Sequence, residues 1–438
     1  MLRFWRLGYV RTELACLGRL GNPIRMDLPD RPTWAVIKHL VAGGGLSPTG
    51  KQVVAELLDG LAGILGEEFP ERIFDKFGGL PGHLLLLGSH RIALPQFLSF
   101  ALALRVAARD PTFRPVLNGA VAGMDVPAWY HLLLQLEAGR ACREMGYQVT
   151  YEPAIVGSAS KADLMVEGGD EPWLVETTVV LRADADKSWE RYEDTFMDRI
   201  RAIEHRNRVT CVIVLNDHPA DKPANGGLGS ITEAWLTEID SAAKTARAAM
   251  APQVVPAEHG SVTIHPDGVP TGTATFTGAL QERDGWKRLR RALAGKAKQI
   301  DGTIPVWVRI DCQDGLLAFG QWPKMPYAER IASMADAIHN EIQWPRCARG
   351  VVLSSGPALS MGATETNVET LTTETDNGII MRRLTAPHLV RETVIIPVTP
   401  AGWSVARQWR DAYGTEARWV QSDLAAAGYP HMNELQLE

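Results

Sequence analysis

Residues 161–180 read KADLMVEGGDEPWLVETTVV, two apolar strand-like runs joined by EGGDEP. Gly168 and Gly169 supply positive φ and Asp170 tolerates it, so the joint is turn chemistry and the runs form an antiparallel hairpin. A turn centred between Gly169 and Asp170 sets Asp163 opposite Glu176 and Lys161 opposite Thr178. Directly opposed side chains have Cβ atoms about 4.5–5.5 Å apart. Two carboxylates at that spacing repel unless one is protonated or a cation lies between them. Ligation by oxygen alone favours magnesium or manganese, and two separately buried structural carboxylates would be the costlier arrangement.

The elements around the hairpin point to an α/β fold. Residues 34–118 read as helices separated by Gly- and Pro-containing joints, which predicts a mainly helical N-terminal domain over 1–118. A helix over Pro127–Met145 ends at Gly146 and is followed by strands at YQVTYEP, ADLMVE and WLVETTVV. A long helix (Asp186–Arg206), the strand VTCVIVLN and a helix (Ile231–Ala249) come next. A polar excursion at about 251–281 reads as an insert, followed by a basic helix at 285–300 and the strand IPVWVRID. These place an α/β core at 119–323. Residues 324–438 read as an α/β C-terminal extension, in which ATETNVETLTTETDNG is a polar linker.

Composition narrows the class. The chain of 438 residues is 45% hydrophobic and 22% charged, ordinary for a globular protein with more than one core. Its five cysteines form neither a CxxC nor a Cys/His cluster, so neither a structural zinc site nor a disulfide framework is indicated, which fits a reducing cytoplasm. The apolar run Ile92–Ala107 is interrupted by Pro95 and is shorter than the roughly 20 residues of a membrane span, so it reads as a buried helix and no membrane association is expected. The basic N-terminal stretch lacks the continuous apolar core of a signal peptide. The net charge is -6, yet residues 283–298 carry seven Lys or Arg against one Asp. Lys287, Arg291 and Lys298 share one face of that helix and suit a phosphate backbone; the plainer reading is a solvated surface.

Asp163 and Glu176 on adjacent strands, after a helix bearing Glu137, resemble the restriction-endonuclease-like, or PD-(D/E)XK, nuclease superfamily. There a helix Glu, a strand Asp and a Glu-x-Lys strand gather magnesium, and the lysine orients or deprotonates the attacking water. The resemblance covers roughly residues 127–215, or to 312 with the basic helix. It implies a restriction-endonuclease-like core (a mixed sheet flanked by helices), Mg2+ or Mn2+ held by Asp163, Glu176 and Glu137, and hydrolysis of phosphodiester bonds in DNA or RNA. By association it also implies a role in prokaryotic defence.

The family lysine is missing here: the strand reads Glu176-Thr177-Thr178. With only 11 lysines in the chain, three candidates stand near: Lys161 by register, Lys298 because superfamily members can supply the lysine from a neighbouring helix, and Lys187 at the start of the next helix. Lys161 is otherwise a hairpin-edge side chain in solvent. Glu137 lies on the apolar face with Leu133, Leu134 and Ala141, and its structural alternative is an ion pair with an arginine such as Arg140. The missing lysine also leaves open a catalytically silent module that binds nucleic acid or a partner protein, or assembles as a homo-oligomer.

Other signals are set aside. GLSPTGKQ (45–52) nearly matches a phosphate-binding loop, but Ser47-Pro48 reads as an N-cap and first helical residue. GSAS (157–160) lacks the flanking glycine of a nucleophile elbow. His83, His90 and His131 read as core or interface histidines, and Trp189 and Tyr192 as packing on the sheet more than as base-stacking groups.

Overall fold

The computed structural model describes residues 32–42, 46–77, 93–123, 126–154, 161–180, 184–215, 228–258, 260–266, 274–276, 285–300, 302–312, 326–355, 368–385 and 388–435. In chain order the helices are α1 (Trp34–Ala42), α2 (Pro48–Leu65), α3 (Phe69–Phe77), α4 (Ala93–Ala107), α5 (Phe113–Gly123), α6 (Val126–Glu144), α7 (Asp184–Asn207), α8 (Ser230–Ala249), α9 (Gly285–Gln299), α10 (Tyr327–Glu341), α11 (Trp403–Gly414) and α12 (Glu416–Ala426). The strands are β1 (Gln148–Tyr151), β2 (Leu164–Glu167), β3 (Trp173–Val180), β4 (Thr210–Leu215), β5 (Gln253–Ala257), β6 (Gly260–His265), β7 (Ala274–Phe276), β8 (Val306–Cys312), β9 (Ala348–Ser355), β10 (Val368–Thr375), β11 (Gly378–Thr385) and β12 (His388–Pro397). The chain forms two compact units, one of residues 1–181 with 284–438 and one of 182–283.

The larger unit is α/β, with an eight-stranded mixed sheet in the order β1-β2-β3-β8-β9-β12-β11-β10. β3, β8 and β9 run parallel and the other pairs antiparallel. β8 is buried along its whole length, as expected of a central parallel strand covered on both faces. Leu164, Val166, Trp173 and Val175 belong to one sheet face and share a core with α1, α2, α4, α6, α11 and α12. Leu174, Val308 and Ile310 belong to the opposite face, packing with Leu289, Leu293 and Ala297 of α9 and with Ile331, Met334 and Ile338 of α10.

The smaller unit holds a four-stranded sheet, β5-β6-β4-β7, with its own apolar core. Phe196 of α7 stacks on Trp235 of α8 at 5.5 Å, and both pack with Ile213 of β4 and Ile264 of β6.

These units divide the chain differently from the three regions predicted above. Residues 1–118 do not separate, because the apolar faces of α2 and α4 share a core with α6 and with the C-terminal helices. Residues 324–438 do not separate either, because β9 pairs with β8 and continues the sheet. The insert is wider than 251–281, since the long helix and VTCVIVLN expected in the core belong to the smaller unit. The expected polar linker contains β10, which pairs with β11 over eight residue pairs. The Ile92–Ala107 run is the buried helix α4, and among the described residues no helix is long and apolar enough to cross a membrane. Ser47 caps α2 with Pro48 in its first turn, as the sequence predicts. That helix start is covered by the chain itself: the Ser47 amide donates to the Leu435 carbonyl, and the Leu435 backbone leaves no room for a side chain at Gly50.

Candidate active site at the start of the carboxylate hairpin

The β2–β3 ladder pairs Leu164 with Val175, Met165 with Leu174 and Val166 with Trp173, the register that the turn predicts. Of the two glycines expected at positive φ, Gly168 adopts it, at 115°, where a side chain would be strained, and Gly169 does not. Asp163 stands immediately before β2, across from Glu176.

Asp163 is held from three directions. Its Oδ2 accepts from the Thr177 amide at 2.6 Å and the Thr177 hydroxyl at 3.0 Å. Its Oδ1 accepts from Gln135 Nε2 on α6 at 3.0 Å and lies 3.5 Å from His131 Nε2, one helical turn earlier. The Thr177 hydroxyl gives its proton to Asp163, so His131 Nε2 is the donor in its 2.6 Å contact with that hydroxyl. From the other sheet face comes Lys296 of α9, whose Nζ is 2.8 Å from Glu176 Oε2 and 3.4 Å from Asp163 Oδ2.

The two carboxylates separate electrostatically. Burial pushes Asp163 up, but the His131 hydrogen bond, the Lys296 charge and the Thr177 amide outweigh it and hold this carboxyl well below the usual range. Burial raises Glu176 above its ordinary value, against the pull of Lys296. At Lys296 burial favours the neutral amine, and the charges of Asp163 and Glu176 overcome it and raise the pKa. The centre is an ionised aspartate, a glutamate with raised proton affinity and an ammonium between them.

The lysine of the site is therefore Lys296, on the helix expected to supply it but two residues before Lys298. Leu289, Leu293 and Ala297 form the buried stripe of α9, and Lys296 falls seven residues after Leu289 on that stripe. Lys298 is exposed, as are Lys287 and Arg291. This predicted backbone-binding face is turned roughly half a revolution from Lys296, at about 100° per residue. Lys161 does not reach the pair: its side chain is 62% exposed and lies 3.6 Å from Glu152, in a segment bridged to Ala154 beside β1. The side chains of Lys187, Trp189 and Tyr192 lie outside the described set, as do His83, His90 and residues 157–160.

Glu137 is placed elsewhere. It is fully buried, with Arg391 donating to its Oε2 at 2.7 Å and its Oε1 at 2.8 Å, and with Arg309 also donating to Oε1. Tyr413 donates to the same oxygen at 3.3 Å. Glu137 reaches Arg309 of β8, Arg391 of β12 and Tyr413 of α11, and Arg140 pairs with Glu144 and Asp423 instead. The side chains that α6 brings to Asp163 are Gln135 and His131.

Asp163 and Glu176 are the oxygen donors available to a cation here; among the described residues no group of three or more His, Cys, Asp and Glu is placed to hold one. Glu176 Oε1 takes no hydrogen bond among the described residues. One or two carboxylates completed by water and substrate phosphate is a common environment for Mg2+, and Asp163 and Glu176 are a donor set of that kind. Comparison of the chain with protein-family models, curated proteins and solved structures gives no match.

Proposed function

We propose that the chain is a restriction-endonuclease-like protein that hydrolyses phosphodiester bonds in DNA or RNA with Mg2+ or Mn2+. The observation that carries this reading is Lys296 Nζ standing between Asp163 and Glu176: two strand carboxylates and a lysine are gathered although the Glu-x-Lys strand has none. The order of elements also supports it. α6 is followed by three antiparallel strands, and after the smaller unit α9 leads into β8, parallel to β3.

When bound, the metal supplies Lewis-acid polarisation of the phosphodiester and a water of lowered pKa. The protein's own part is positional. Asp163 and Glu176 would hold the ion, while Thr177 and Gln135 fix the Asp163 carboxylate so that its lone pairs keep one direction. Lys296 orients the attacking water or stabilises negative charge growing on the phosphate oxygens. Lys287, Arg291 and Lys298 offer a grip on a nucleic-acid backbone away from the carboxylates.

The deciding experiment incubates the full chain with plasmid, linear single-stranded DNA and RNA in magnesium, manganese or EDTA, beside Asp163→Ala and Lys296→Ala. Metal-dependent cleavage lost in both variants supports the proposal. Cleavage that survives Asp163→Ala refutes the site. Absence of cleavage by the unaltered chain favours the second reading, a silent nuclease-fold module binding nucleic acid or a partner protein. That reading draws on the same observation, since Lys296 already neutralises the carboxylates without any metal.

A further inference from the structure

The position of Lys296 bears on how this site admits a cation. Its side chain is 15% exposed, against 14% for Asp163 and 13% for Glu176, so all three charges are shielded together. An ammonium 2.8 Å from one carboxylate oxygen and 3.4 Å from the other occupies the space that an ion bridging them needs. A divalent ion cannot share it, because like charges so close repel strongly in a partly desolvated site.

The components differ in how easily they move. Asp163 is anchored by the backbone amide of Thr177 and by Gln135, which is 1% exposed on the long helix α6. Lys296 ends a flexible four-carbon stem in the last turn of α9. Opening the site therefore leaves Asp163 in place and parts Lys296 from it.

We propose that Lys296 is an internal counter-ion that closes the resting site to divalent cations, and that a metal enters only as the ammonium is displaced. The inference rests on the metal-binding half of the proposed function. Apparent metal affinity is then the intrinsic affinity reduced by the fraction of molecules whose lysine has already swung away. A substrate phosphate is a suitable destination for the displaced ammonium, which makes metal and phosphodiester binding mutually reinforcing.

The test is calorimetric titration of the full chain with Mn2+ alone, with no nucleic acid present. Lys296→Met should bind Mn2+ about tenfold more tightly or better, the gain expected when the open form is ~10% populated or less. Lys296→Gln, neutral but able to donate to Glu176, should show the same gain and serves if the methionine variant does not fold. Lys296→Arg keeps the charge and should stay near the weak affinity of the unaltered chain. Adding Asp163→Asn to Lys296→Gln should abolish the gain. Neutral variants that bind Mn2+ no better than the unaltered chain, or an arginine variant that binds as tightly as they do, overturn the proposal. Cleavage assays separate the two readings: tighter binding by the neutral variants with no cleavage by the unaltered chain sinks the nuclease reading alone. Cleavage by the unaltered chain with no gain in the variants sinks the counter-ion alone.

Discussion

Asp163, partly buried at 14% exposure, and Asp311, fully buried, both lie beside cations, yet they are shifted in opposite directions. Asp163 lies below the usual range because an imidazole, an ammonium and a backbone amide favour its charged form. At Asp311 complete burial prevails over Arg391 and Arg309, and its pKa is raised to about 6. Linkage gives these shifts opposite signs. The stability from Asp163 is fully present above its unfolded value of about 3.9 and is lost as pH falls through its lower folded value. Asp311 takes its proton more readily folded than unfolded, so it costs stability above about pH 6, and that cost vanishes below about pH 4. Urea midpoints of Asp163→Asn should therefore trail the unaltered chain most above about pH 4, with the deficit shrinking in stronger acid. Those of Asp311→Asn should improve relative to the unaltered chain as pH rises from about 4 to about 7, since an amide still accepts from Ser354. An Asp311→Asn difference that is flat across that window contradicts the proton assignment.

At the scale of elements, α9 separates two kinds of lysine. Lys296 lies on the buried stripe and Lys298 outside it, so Lys296→Ala should lower phosphodiester cleavage by about 10²-fold or more, the usual range for losing a proton-handling or charge-stabilising group. Lys298→Ala and Lys161→Ala should retain most of the turnover and, at Lys298, show weaker and less salt-dependent substrate binding. Turnover numbers and KM measured at two salt concentrations check this. A collapse of turnover in Lys161→Ala with Lys296→Ala unaffected would reverse the assignment. The hairpin register was legible because two glycines and an alternating apolar pattern admit one pairing. Neither Lys161, named first from the hairpin register, nor Lys298, named from the neighbouring helix, meets the carboxylates: Lys161 turns to Glu152, and the 3.6-residue period of Leu289, Leu293 and Ala297 marks the side of α9 that meets the sheet and carries Lys296. Gln135, His131 and Thr177 were not legible as site residues, since their role depends on α6 crossing the end of β2. β10 was hidden by composition: VETLTTET is polar, and it becomes a strand because β11 offers it a partner.

At the scale of the molecule, two arrangements carry separate consequences. Residues 182–283 have their own core, built from Phe196, Ile200, Trp235, Ile239, Val262 and Ile264 among others, so this segment expressed alone should unfold cooperatively in denaturant. A broad, non-cooperative loss of helix signal would show that it depends on the rest of the chain. In the larger unit Glu137 of α6 receives Arg309 of β8 and Arg391 of β12, while Arg391 also pairs with Glu416 of α12 at 3.0 Å. Ser354 of β9 accepts from both guanidiniums. This buried network joins the helix that positions Gln135 to the central strands and to the C-terminal helices. Breaking a buried ion pair on one side costs roughly 3–5 kcal/mol, because the partner charges remain without compensation. Against a typical total of about 5–15 kcal/mol, Glu137→Gln should lower the denaturation midpoint severely. It should nevertheless leave the Mn2+ affinity of the molecules that remain folded unchanged, because the Glu137 carboxylate is engaged by Arg309, Arg391 and Tyr413. Chemical denaturation paired with Mn2+ titration at low temperature distinguishes this from a metal-ligating glutamate. Full stability with lost metal binding would return Glu137 to the site, whereas lost stability with metal binding intact places it with the two arginines.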